Sequence, residues 1–185
     1  GFSAYLVGGA VRDFFLKKEA SDWDIATDAP PQEVMRLFRR TIPTGIEHGT
    51  VTIIYKNKHI ECTTFRTEAD YTDGRHPAAV SYAATIEEDL ARRDFTMNAI
   101  AISLPDGIIV DPFNGRADIR AGLIQTVGNP LDRFLEDGLR PVRAVRFAAQ
   151  LGFTIDAKTL QAISQALHIT QKISIERFRE EFTKI

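Results

Sequence analysis

The stretch SDWDIATDAP (residues 21–30) places Asp22 and Asp24 one residue apart, with the run Trp23–Thr27 predicted as a strand. Because side chains two residues apart in a strand point to the same face, these carboxylates project side by side and repel each other. A divalent cation turns such repulsion into coordination, and Mg²⁺ prefers carboxylate and phosphate oxygens. Two such ions can serve an in-line phosphoryl transfer, so the pattern predicts Asp22 and Asp24 as catalytic metal ligands.

Glu61, in the stretch HIECTTFR, is a candidate for a third catalytic carboxylate. In the predicted strand Ile60 and Cys62 would face the core, so Glu61 would point to the other face. Taken one at a time, these patterns also have ordinary explanations. Asp22 can be a loop or capping residue, and Asp24 and Glu61 can be surface charges. The motifs around them must therefore decide whether they form a site.

A glycine pair, Gly8 and Gly9, stands between a predicted strand and a predicted helix in LVGGAVRD. Glycines at such a turn let backbone N–H groups approach a phosphate, and the helix N-terminus favours an anion. Arg12, one turn into the helix, could add a charge-assisted contact. The turn matches neither a P-loop nor a G-x-G-x-x-G motif, and a plain structural turn is the alternative.

The segment EDGLRPVRAVRFAAQLGF repeats a charged residue at every third position: Asp137, Arg140, Arg143 and Arg146. On a helix these four form a slanted ridge. Asp137 and Arg140 offer acceptors and donors that could recognise the edge of a base, while Arg143 and Arg146 could bind phosphates or orient the pair. Pro141 predicts a kink unless a helix begins near it, and a solvated basic face is the alternative. The residues predicted to pack inward are Leu135, Leu139, Val142, Val145 and Ala149.

The elements that must position these residues follow from the pattern of apolar residues and turn formers. Strands are predicted in AYLVGG, WDIAT, GTVTIIYKN, KHIECTTFRT and GIIVDPF, the third and fourth as a hairpin around Asn57 and Lys58. Helices are predicted over 10–18, 30–40, 86–103, 115–122, 132–150, 156–168 and 174–185, and a long loop over 67–85. The character changes near residue 125, which predicts a mixed α/β unit over 1–125 and a helical unit over 126–185.

The composition, with 44% hydrophobic and 26% charged residues among 185, is typical of a globular protein with a sizeable core. A net charge of −2 predicts that any contact with a polyanion depends on local clusters. A single cysteine excludes an internal disulfide framework, and the four histidines lack a zinc-like spacing. No signal peptide and no stretch of roughly 20 apolar residues is visible, which predicts a cytoplasmic location. Because the chain begins without methionine and stops on the amphipathic pattern RFREEFTKI, we expect a fragment of a longer protein.

Five motifs occur in one order: LVGGAVRD, SDWDIATDA, EEDLARRDFTMNAIA, DPFNGRADI and DRFLEDGLRPVRAVRFAAQLGF. From about Tyr5 to Phe153 the chain resembles the class II tRNA nucleotidyltransferase and bacterial poly(A) polymerase family of the polymerase β superfamily. The resemblance implies a polymerase-β-like nucleotidyltransferase head over 1–125, with a small mixed sheet and flanking helices. An all-helical neck over 126–185 would select the nucleobase and continue into body and tail domains.

The resemblance also implies a role for each matching residue. Asp22 and Asp24 match the metal-binding pair, and Glu61 matches a third acidic residue. The triphosphate turn is matched by Gly8, Gly9 and Arg12, and the segment that handles ribose and phosphates by Arg92, Arg93 and Asp94. The amino-acid template that selects ATP or CTP is matched by Asp137, Arg140, Arg143 and Arg146. The implied activity is Mg²⁺-dependent addition of CCA, or of the terminal A only, to the 3′ end of tRNA. It needs no nucleic-acid template, uses CTP and ATP, and releases pyrophosphate by a two-metal mechanism.

Within this family the stretch TIPTGIEHGTVTII looks like the CCA-adding type, and the predicted loop over 67–85 resembles one that CC-only enzymes lack. A CC-adding enzyme and a poly(A) polymerase are the alternatives. Two rivals lie outside it: a non-catalytic RNA- or nucleotide-binding module, and a transferase acting on a small molecule or a protein hydroxyl. The intact Asp22, Asp24 and Arg93 argue against the first rival, and the Asp137–Arg146 segment argues against the second. Neither a membrane nor a stable protein partner is expected.

Overall fold

The structure of the protein is a computed structural model, and it describes residues 1–20, 22–71 and 77–185. Its strands are β1 (Ala4–Val7), β2 (Trp23–Thr27), β3 (Thr41–Gly45), β4 (Thr50–Tyr55), β5 (Lys58–Thr64), β6 (Arg66–Tyr71), β7 (Pro77–Tyr82), β8 (Ala101–Leu104), β9 (Ile109–Val110), β10 (Leu123–Ile124) and β11 (Thr154–Ile155). Its α-helices are α1 (Gly9–Phe15), α2 (Pro31–Leu37), α3 (Ile86–Ala91), α4 (Gly115–Ala121), α5 (Pro130–Glu136), α6 (Leu139–Leu151), α7 (Ala157–Gln165), α8 (Leu167–Thr170) and α9 (Ile175–Phe182). Across the described ranges no helix is long and apolar enough to cross a membrane.

A mixed sheet of seven strands carries the predicted carboxylates, in the order β3-β4-β5-β2-β1-β8-β9. β2 runs antiparallel to β1 and parallel to β5, and the register places Asp24 opposite both Val7 and Glu61. Because directly opposite residues share a face, Asp24 and Glu61 project to the same side of the sheet. The predicted hairpin of β4 and β5 is confirmed, and Lys56 and Asn57 form its turn with φ of 45° and 62°.

Different helices cover the two faces of this sheet. On one face, Ile53 of β4 and Cys62 of β5 pack with Val34 of α2. On the Asp24 face, Val7 of β1 packs with Leu90 of α3. The face that carries the carboxylates is therefore covered by α3 beside β1.

The helices after residue 125 share a core with the elements before it. Val11 of α1, Phe95 and Met97 pack with Phe134 of α5 and Phe147 of α6. The rings of Phe95 and Phe147 meet edge to face with their centroids 5.8 Å apart. Burying each large apolar side chain contributes about 1.5–3 kcal/mol, so this cluster holds α6 firmly against the sheet unit. The domain boundary near residue 125 stays a prediction.

The predicted loop over 67–85 is wrong for residues 67–71 and 77–82, which form strands. β6 and β7 pair as a separate antiparallel sheet, with Arg66 opposite Tyr82 and Thr67 opposite Ser81. Residues 72–76 of that predicted loop lie outside the described residues. Neither TEADY nor PAAVSY alternates apolar and polar residues, so the local pattern does not indicate a strand.

The predicted helix over 86–103 is wrong beyond its first part, because α3 ends early. The carboxylate of Asp94 accepts hydrogen bonds from the backbone N–H of Phe95 at 2.7 Å and from the Asn98 amide at 3.1 Å. Such local bonds offer the chain an alternative to helix. The apolar run that follows forms the inner strand β8 of the sheet. A short apolar run fits a buried helix and a buried strand equally well, which explains the error.

The single helix predicted over 132–150 is wrong, because Asp137 and Gly138 separate α5 from α6. Pro141 lies in the first turn of α6, so the alternative to a kink, a helix that begins near this proline, is confirmed. The break places the chain against α8. A Cβ atom on Gly138 would lie 2.6 Å from the carbonyl oxygen of Ile169, which only glycine avoids.

Candidate active site

Asp24 lies at the centre of the predicted carboxylate site, on β2 between β1 and β5. Burial raises the pKa of Asp24, and the charges of Glu61 and Asp22 raise it further, while the Arg93 guanidinium acts to lower it. The fold therefore brings three carboxylates within electrostatic reach of one another. Within the described ranges, no set of three or more His, Cys, Asp or Glu side chains is arranged to hold a metal ion. A catalytic role for Glu61 stays a prediction.

The glycine turn closes against the same carboxylate. Gly8 has a φ of 69°, and a Cβ atom there would lie 3.1 Å from Oδ2 of Asp24 and 3.2 Å from Nη1 of Arg93. Glycine alone combines this backbone conformation with so close an approach. Gly9, predicted with Gly8 to bind phosphate, is the first residue of α1. The turn, a carboxylate and a guanidinium thus converge at one point.

Arg12 joins α1 to α6, and its Nη2 also lies beside the turn, 3.7 Å from the position that a Cβ atom on Gly9 would take. Its Nε and Nη2 donate to Oδ1 of Asp13 at 2.9 and 2.7 Å, and its Nη1 donates to Oδ1 of Asn98 at 3.1 Å. Its guanidinium carbon lies 5.2 Å from the centre of the Phe147 ring. A phosphate contact by Arg12 stays a prediction.

Asp89 holds the two neighbouring arginines of the RRD segment. Its buried carboxylate accepts hydrogen bonds from Nε of Arg92 at 3.0 Å and from Nη2 of Arg93 at 3.2 Å. Burial acts to raise the pKa of Asp89, but the two guanidinium groups outweigh it and the pKa is lowered. A capping box between Thr85 and Glu88 fixes the start of α3. Arg93 is thereby held at the glycine turn.

Asp94 connects this segment to α6. Nε and Nη2 of Arg143 donate to Oδ2 of Asp94 at 2.8 and 2.7 Å, a two-pronged ion pair. Burial acts to raise the pKa of Asp94, but Arg143 and the Asn98 amide lower it below its usual range. The same pair raises the pKa of Arg143. The predicted phosphate segment and the predicted base-selecting helix are therefore joined directly.

Two arginines of α6 are buried, so the alternative of a solvated basic face is wrong for them. Arg140 and Arg146 are 7% and 8% exposed. Glu136 forms an ion pair with Arg140, whose Nη2 also donates to the carbonyl oxygen of Arg92 at 3.3 Å. Nε of Arg146 donates to the buried carboxylate of Glu181 at 2.5 Å. Each buried guanidinium has a carboxylate partner, which makes its burial tolerable.

The predicted inward face of α5 and α6 is also wrong. It comprised Leu135, Leu139, Val142, Val145 and Ala149, of which only Leu139 is buried. Val145 is 51% exposed, whereas Ala144 and Phe147 form the core side of α6. The guanidinium carbon of Arg146 lies 3.9 Å from the centre of the Phe147 ring. Arg140 and Arg146 thus share the buried side of α6 with Ala144 and Phe147, while Val145 and Ala149 of the predicted set lie on the outer side.

Asp137 does not share a helix with Arg140, Arg143 and Arg146. Its backbone is extended, and it precedes α6. Nη2 of Arg177 donates to its two carboxylate oxygens at 3.3 and 3.1 Å, and the N–H of Leu139 donates to it at 3.0 Å. The backbone N–H of Arg140 donates to the Asp137 carbonyl at 3.0 Å, which keeps the two residues adjacent. The predicted ridge on one helix is therefore correct for the three arginines and wrong for Asp137.

Sequence reasoning missed four residues that hold the predicted site: Asp89, Glu136, Arg177 and Glu181. Two of them had a local signal. Asp89 stands three and four residues before its arginine partners, and Glu136 stands four residues before Arg140, spacings that bring side chains together on a helix. Arg177 and Glu181 lie 40 and 35 residues from their partners. No local pattern predicts contacts at that separation.

Two family models match this chain. The model described as "Poly A polymerase head domain" matches residues 4–125, so the chain belongs to the Poly A polymerase head domain family. A second model, described as "Probable RNA and SrmB- binding site of polymerase A", matches residues 152–185.

Known proteins resemble the chain over its whole length. It is 50% identical over 185 residues to the CCA-adding enzyme of Bacillus subtilis (strain 168), covering 100% of this chain and 46% of that enzyme. It is 52% identical over 185 residues to the CCA-adding enzyme of Lactobacillus helveticus (strain DPC 4571), again covering 46% of it. The chain thus spans about half the length of the curated relatives it matches.

Solved structures agree with this relationship. The crystal structure of the Bacillus stearothermophilus CCA-adding enzyme in complex with CTP superposes with a TM-score of 0.91 at 48% identity, covering 100% of this chain and 44% of that one. A tRNA nucleotidyltransferase complexed with a primer tRNA and an incoming ATP analog superposes with a TM-score of 0.81 at 34% identity, covering 99% and 52%. The mixed α/β fold predicted from the sequence is confirmed.

Proposed function

We propose that this protein adds nucleotides to the 3′ end of tRNA without a nucleic-acid template, using CTP and ATP and releasing pyrophosphate. The product would be CCA, or the terminal A only. The observation that carries the proposal is the convergence of Asp24, the Gly8 turn and Arg93 at one point. Relatives named CCA-adding enzymes match the whole chain and favour this activity over CC addition and poly(A) synthesis. In this proposal residues 1–125 form the head, 126–185 form the neck, and the protein works in the cytoplasm.

The carboxylates suit a divalent cation. Asp24 is partly buried beside the charges of Glu61 and Asp22, and its pKa is raised because Arg93 offsets only part of the unfavourable energy of ionising it there. Oxygen donors with an excess of negative charge are the ligands that Mg²⁺ prefers. Asp22 and Asp24 would hold the ion. When bound, Mg²⁺ would supply the charge stabilisation of a two-metal phosphoryl transfer.

The triphosphate would lie at the Gly8 turn. Nε of Arg93 is buried without a hydrogen-bond partner among the residues that the structure describes, and a phosphate oxygen would satisfy it. In the reaction the 3′-hydroxyl of the tRNA would give its proton to solvent water, its oxygen would form a bond to the α-phosphorus, and the bond from that phosphorus to pyrophosphate would break. Arg93, held by Asp89, would stabilise the negative charge on the departing pyrophosphate.

Asp137 and Arg140 would choose the base with protein groups alone, the carboxylate accepting and the guanidinium donating hydrogen bonds. Arg177 orients the Asp137 carboxylate, and Glu136 orients the Arg140 guanidinium. Arg143 would orient the pair through its bond to Asp94. Arg146, bound to Glu181, would support the same helix.

The direct test uses the full-length protein and a tRNA that lacks CCA. Wild type should extend its 3′ end in a Mg²⁺-dependent reaction with CTP and ATP, and Asp22→Ala plus Asp24→Ala should abolish incorporation. Asp106→Ala, at an exposed aspartate between β8 and β9, is the matched control and should retain activity. Retained incorporation in the double variant would contradict the metal assignment.

Base selection is tested separately with Asp137→Ala. The variant should lose discrimination between CTP or ATP and the other nucleotides, because the carboxylate oxygens that would accept hydrogen bonds from the base are gone. Labelling with each radioactive nucleotide, with and without tRNA, measures this. The same assay identifies the rivals: a non-catalytic module incorporates nothing, and a transferase for another hydroxyl does not need tRNA.

A further inference from the structure

Asp137 lies in the extended connection between α5 and α6, where no helix fixes the direction of its side chain. The backbone N–H of Leu139 donates to Oδ1 of its carboxylate at 3.0 Å. Nη2 of Arg177 donates to both oxygens, to Oδ1 at 3.3 Å and to Oδ2 at 3.1 Å. A carboxylate held through one oxygen can still rotate, so the contact of Arg177 with both oxygens is what fixes its plane.

The two oxygens of Asp137 differ in what they can still bind. Oδ1 accepts from Leu139 and Arg177, whereas Oδ2 accepts from Arg177 alone among the residues that the structure describes. Because each oxygen of an ionised carboxylate can accept about two hydrogen bonds, Oδ2 keeps one position for a donor on the substrate. Cytosine and adenine carry an amino group where uracil and guanine carry a carbonyl oxygen, so the first two bases can fill that position.

Arg177 reaches Asp137 from α9, 40 residues further along the chain. Its backbone N–H donates to the capping hydroxyl of Ser174 at 3.4 Å, and Glu181 ties the same helix to Arg146 of α6. Nη1 of Arg177 is buried without a hydrogen-bond partner among the described residues. An arginine that only joined two helices would place both terminal nitrogens on the carboxylate, and an unpaired buried donor is unfavourable. The contact therefore suits the orientation of Asp137 better than it suits stability.

Arg140, the other group assigned to the base, is held without the help of α9. Glu136, four residues earlier, forms an ion pair with it, and the carbonyl oxygen of Arg92 accepts from its Nη2 at 3.3 Å. Neither of these contacts involves Arg177. Loss of Arg177 should therefore disturb the acceptor that faces the base and leave the donor in place.

We propose that Arg177 is a positioning residue for nucleotide selection. It holds Asp137 so that Oδ2 accepts a hydrogen bond from the exocyclic amino group of the incoming cytosine or adenine. This inference rests on the proposed function, because it names the residue of α9 through which that reaction excludes bases that lack the amino group.

The experiment compares the full-length wild type with Arg177→Met, which keeps a long side chain and removes its donors. With a tRNA that lacks CCA, the ratio of kcat/KM for CTP to that for UTP should fall by about tenfold or more, because UTP differs at the group that Asp137 recognises. Arg177→Lys should restore most of the ratio, since a single nitrogen makes the native contact. Arg179→Met, at an exposed arginine of the same helix, is the matched control and should leave the ratio unchanged.

A second measurement separates positioning from direct contact with the nucleotide. In the Asp137→Ala background, adding Arg177→Met should change the ratio by less than about twofold, because a residue that acts only through Asp137 has nothing left to position. A further large fall in the double variant would mean that Arg177 binds the nucleotide itself and would overturn the inference.

A wild-type ratio in Arg177→Met would also overturn it, even if overall activity or stability fell, because Arg177 would then be structural. If Arg177→Met does not fold, Arg177→Gln, whose side chain is shorter and uncharged, carries the same expected fall and the same contrary outcome. Failure of wild type itself to extend tRNA would instead overturn the proposed function. The two failures are therefore distinguishable.

Discussion

Asp24 is partly buried and Asp94 is buried, and both lie near arginines, yet their pKa values move in opposite directions. The pKa of Asp24 is raised by burial and by the like charges of Glu61 and Asp22. The pKa of Asp94 is lowered despite burial, because Arg143 binds it through two hydrogen bonds and Asn98 through a third. The fold therefore stabilises the charged form of Asp94 through its bound arginine. The charged form of Asp24 remains unfavourable, and a bound cation would stabilise it.

Two other buried carboxylates resemble Asp94. Asp89 binds Arg92 and Arg93, Glu181 binds Arg146, and the pKa of each carboxylate is lowered. Arginines therefore stabilise the charged forms of Asp89, Asp94 and Glu181, whereas Arg93 only partly offsets the unfavourable energy of the charged form of Asp24. The carboxylates that are paired with arginines hold those arginines in place. A carboxylate whose charged form stays unfavourable, as that of Asp24 does, is typical of functional sites.

The largest expected effect comes from Asp24→Asn. This change removes a negative charge that burial and the neighbouring carboxylates make unfavourable. Nucleotide incorporation by the full-length protein should fall by about 10³-fold, because a metal ion contributes several kcal/mol of charge stabilisation and each 1.4 kcal/mol is tenfold. Stability should not fall, since the lost charge was repelled by its neighbours. Incorporation assays and urea unfolding check the two halves. A variant that is less stable than wild type would show that Asp24 is structural.

Asp94→Ala should have the opposite profile, because it removes the buried carboxylate that is the main partner of the partly exposed Arg143. We expect unfolding in urea to become easier by about 1–3 kcal/mol, because charge-assisted hydrogen bonds are lost. Asp132→Ala, at an exposed aspartate on α5, should change stability by less than about 0.5 kcal/mol. Equal stabilities of the two variants would mean that the Asp94–Arg143 pair does not hold α6.

Gly138→Ala tests whether the break before α6 positions Asp137. The added Cβ would lie 2.6 Å from the carbonyl oxygen of Ile169, and overpacking of this kind costs about 1–3 kcal/mol. Discrimination between nucleotides should weaken as Asp137 shifts. Gly45→Ala, whose Cβ would make an ordinary 3.4 Å contact with Thr50, is the control for thermal unfolding and for nucleotide selection. Unchanged behaviour of the Gly138 variant would show that the break tolerates a side chain.

The smallest effect is the pH dependence of these differences. The lowered pKa of Asp94 means that its stabilisation is present above its ordinary value of 3.8 and is lost as the pH falls through the folded pKa. The raised pKa of Asp24 means that its favourable contribution exists below 3.8 and is lost as the pH rises through the folded pKa. Relative to wild type, Asp94→Asn should therefore be most destabilised at neutral pH, and Asp24→Asn should gain most there. Urea unfolding at neutral pH and at about pH 3 to 4 measures both, and parallel curves would contradict the assignments.

Local patterns predicted the elements that carry the carboxylates. The run WDIAT alternates Asp24 with Ile25, so β2 and the face of its aspartate follow from period two. The glycines after AYLV indicate the turn at which Gly8 approaches Asp24. The same reasoning failed for β6, β7 and β8, whose pairing partners lie elsewhere in the chain. It also failed for Val145, because the pattern of apolar residues takes no account of paired arginines.

The sequence by itself determined which residue types lie close together within one strand, turn or helix. This was enough to predict the pair of Asp22 and Asp24 and the glycine turn. Only the tertiary structure decided which charges are compensated. The Arg146–Glu181 and Asp137–Arg177 pairs join residues 35 and 40 positions apart. Whether a buried charge is stabilised or left costly depends on such distant partners, and spacing along the chain does not encode them.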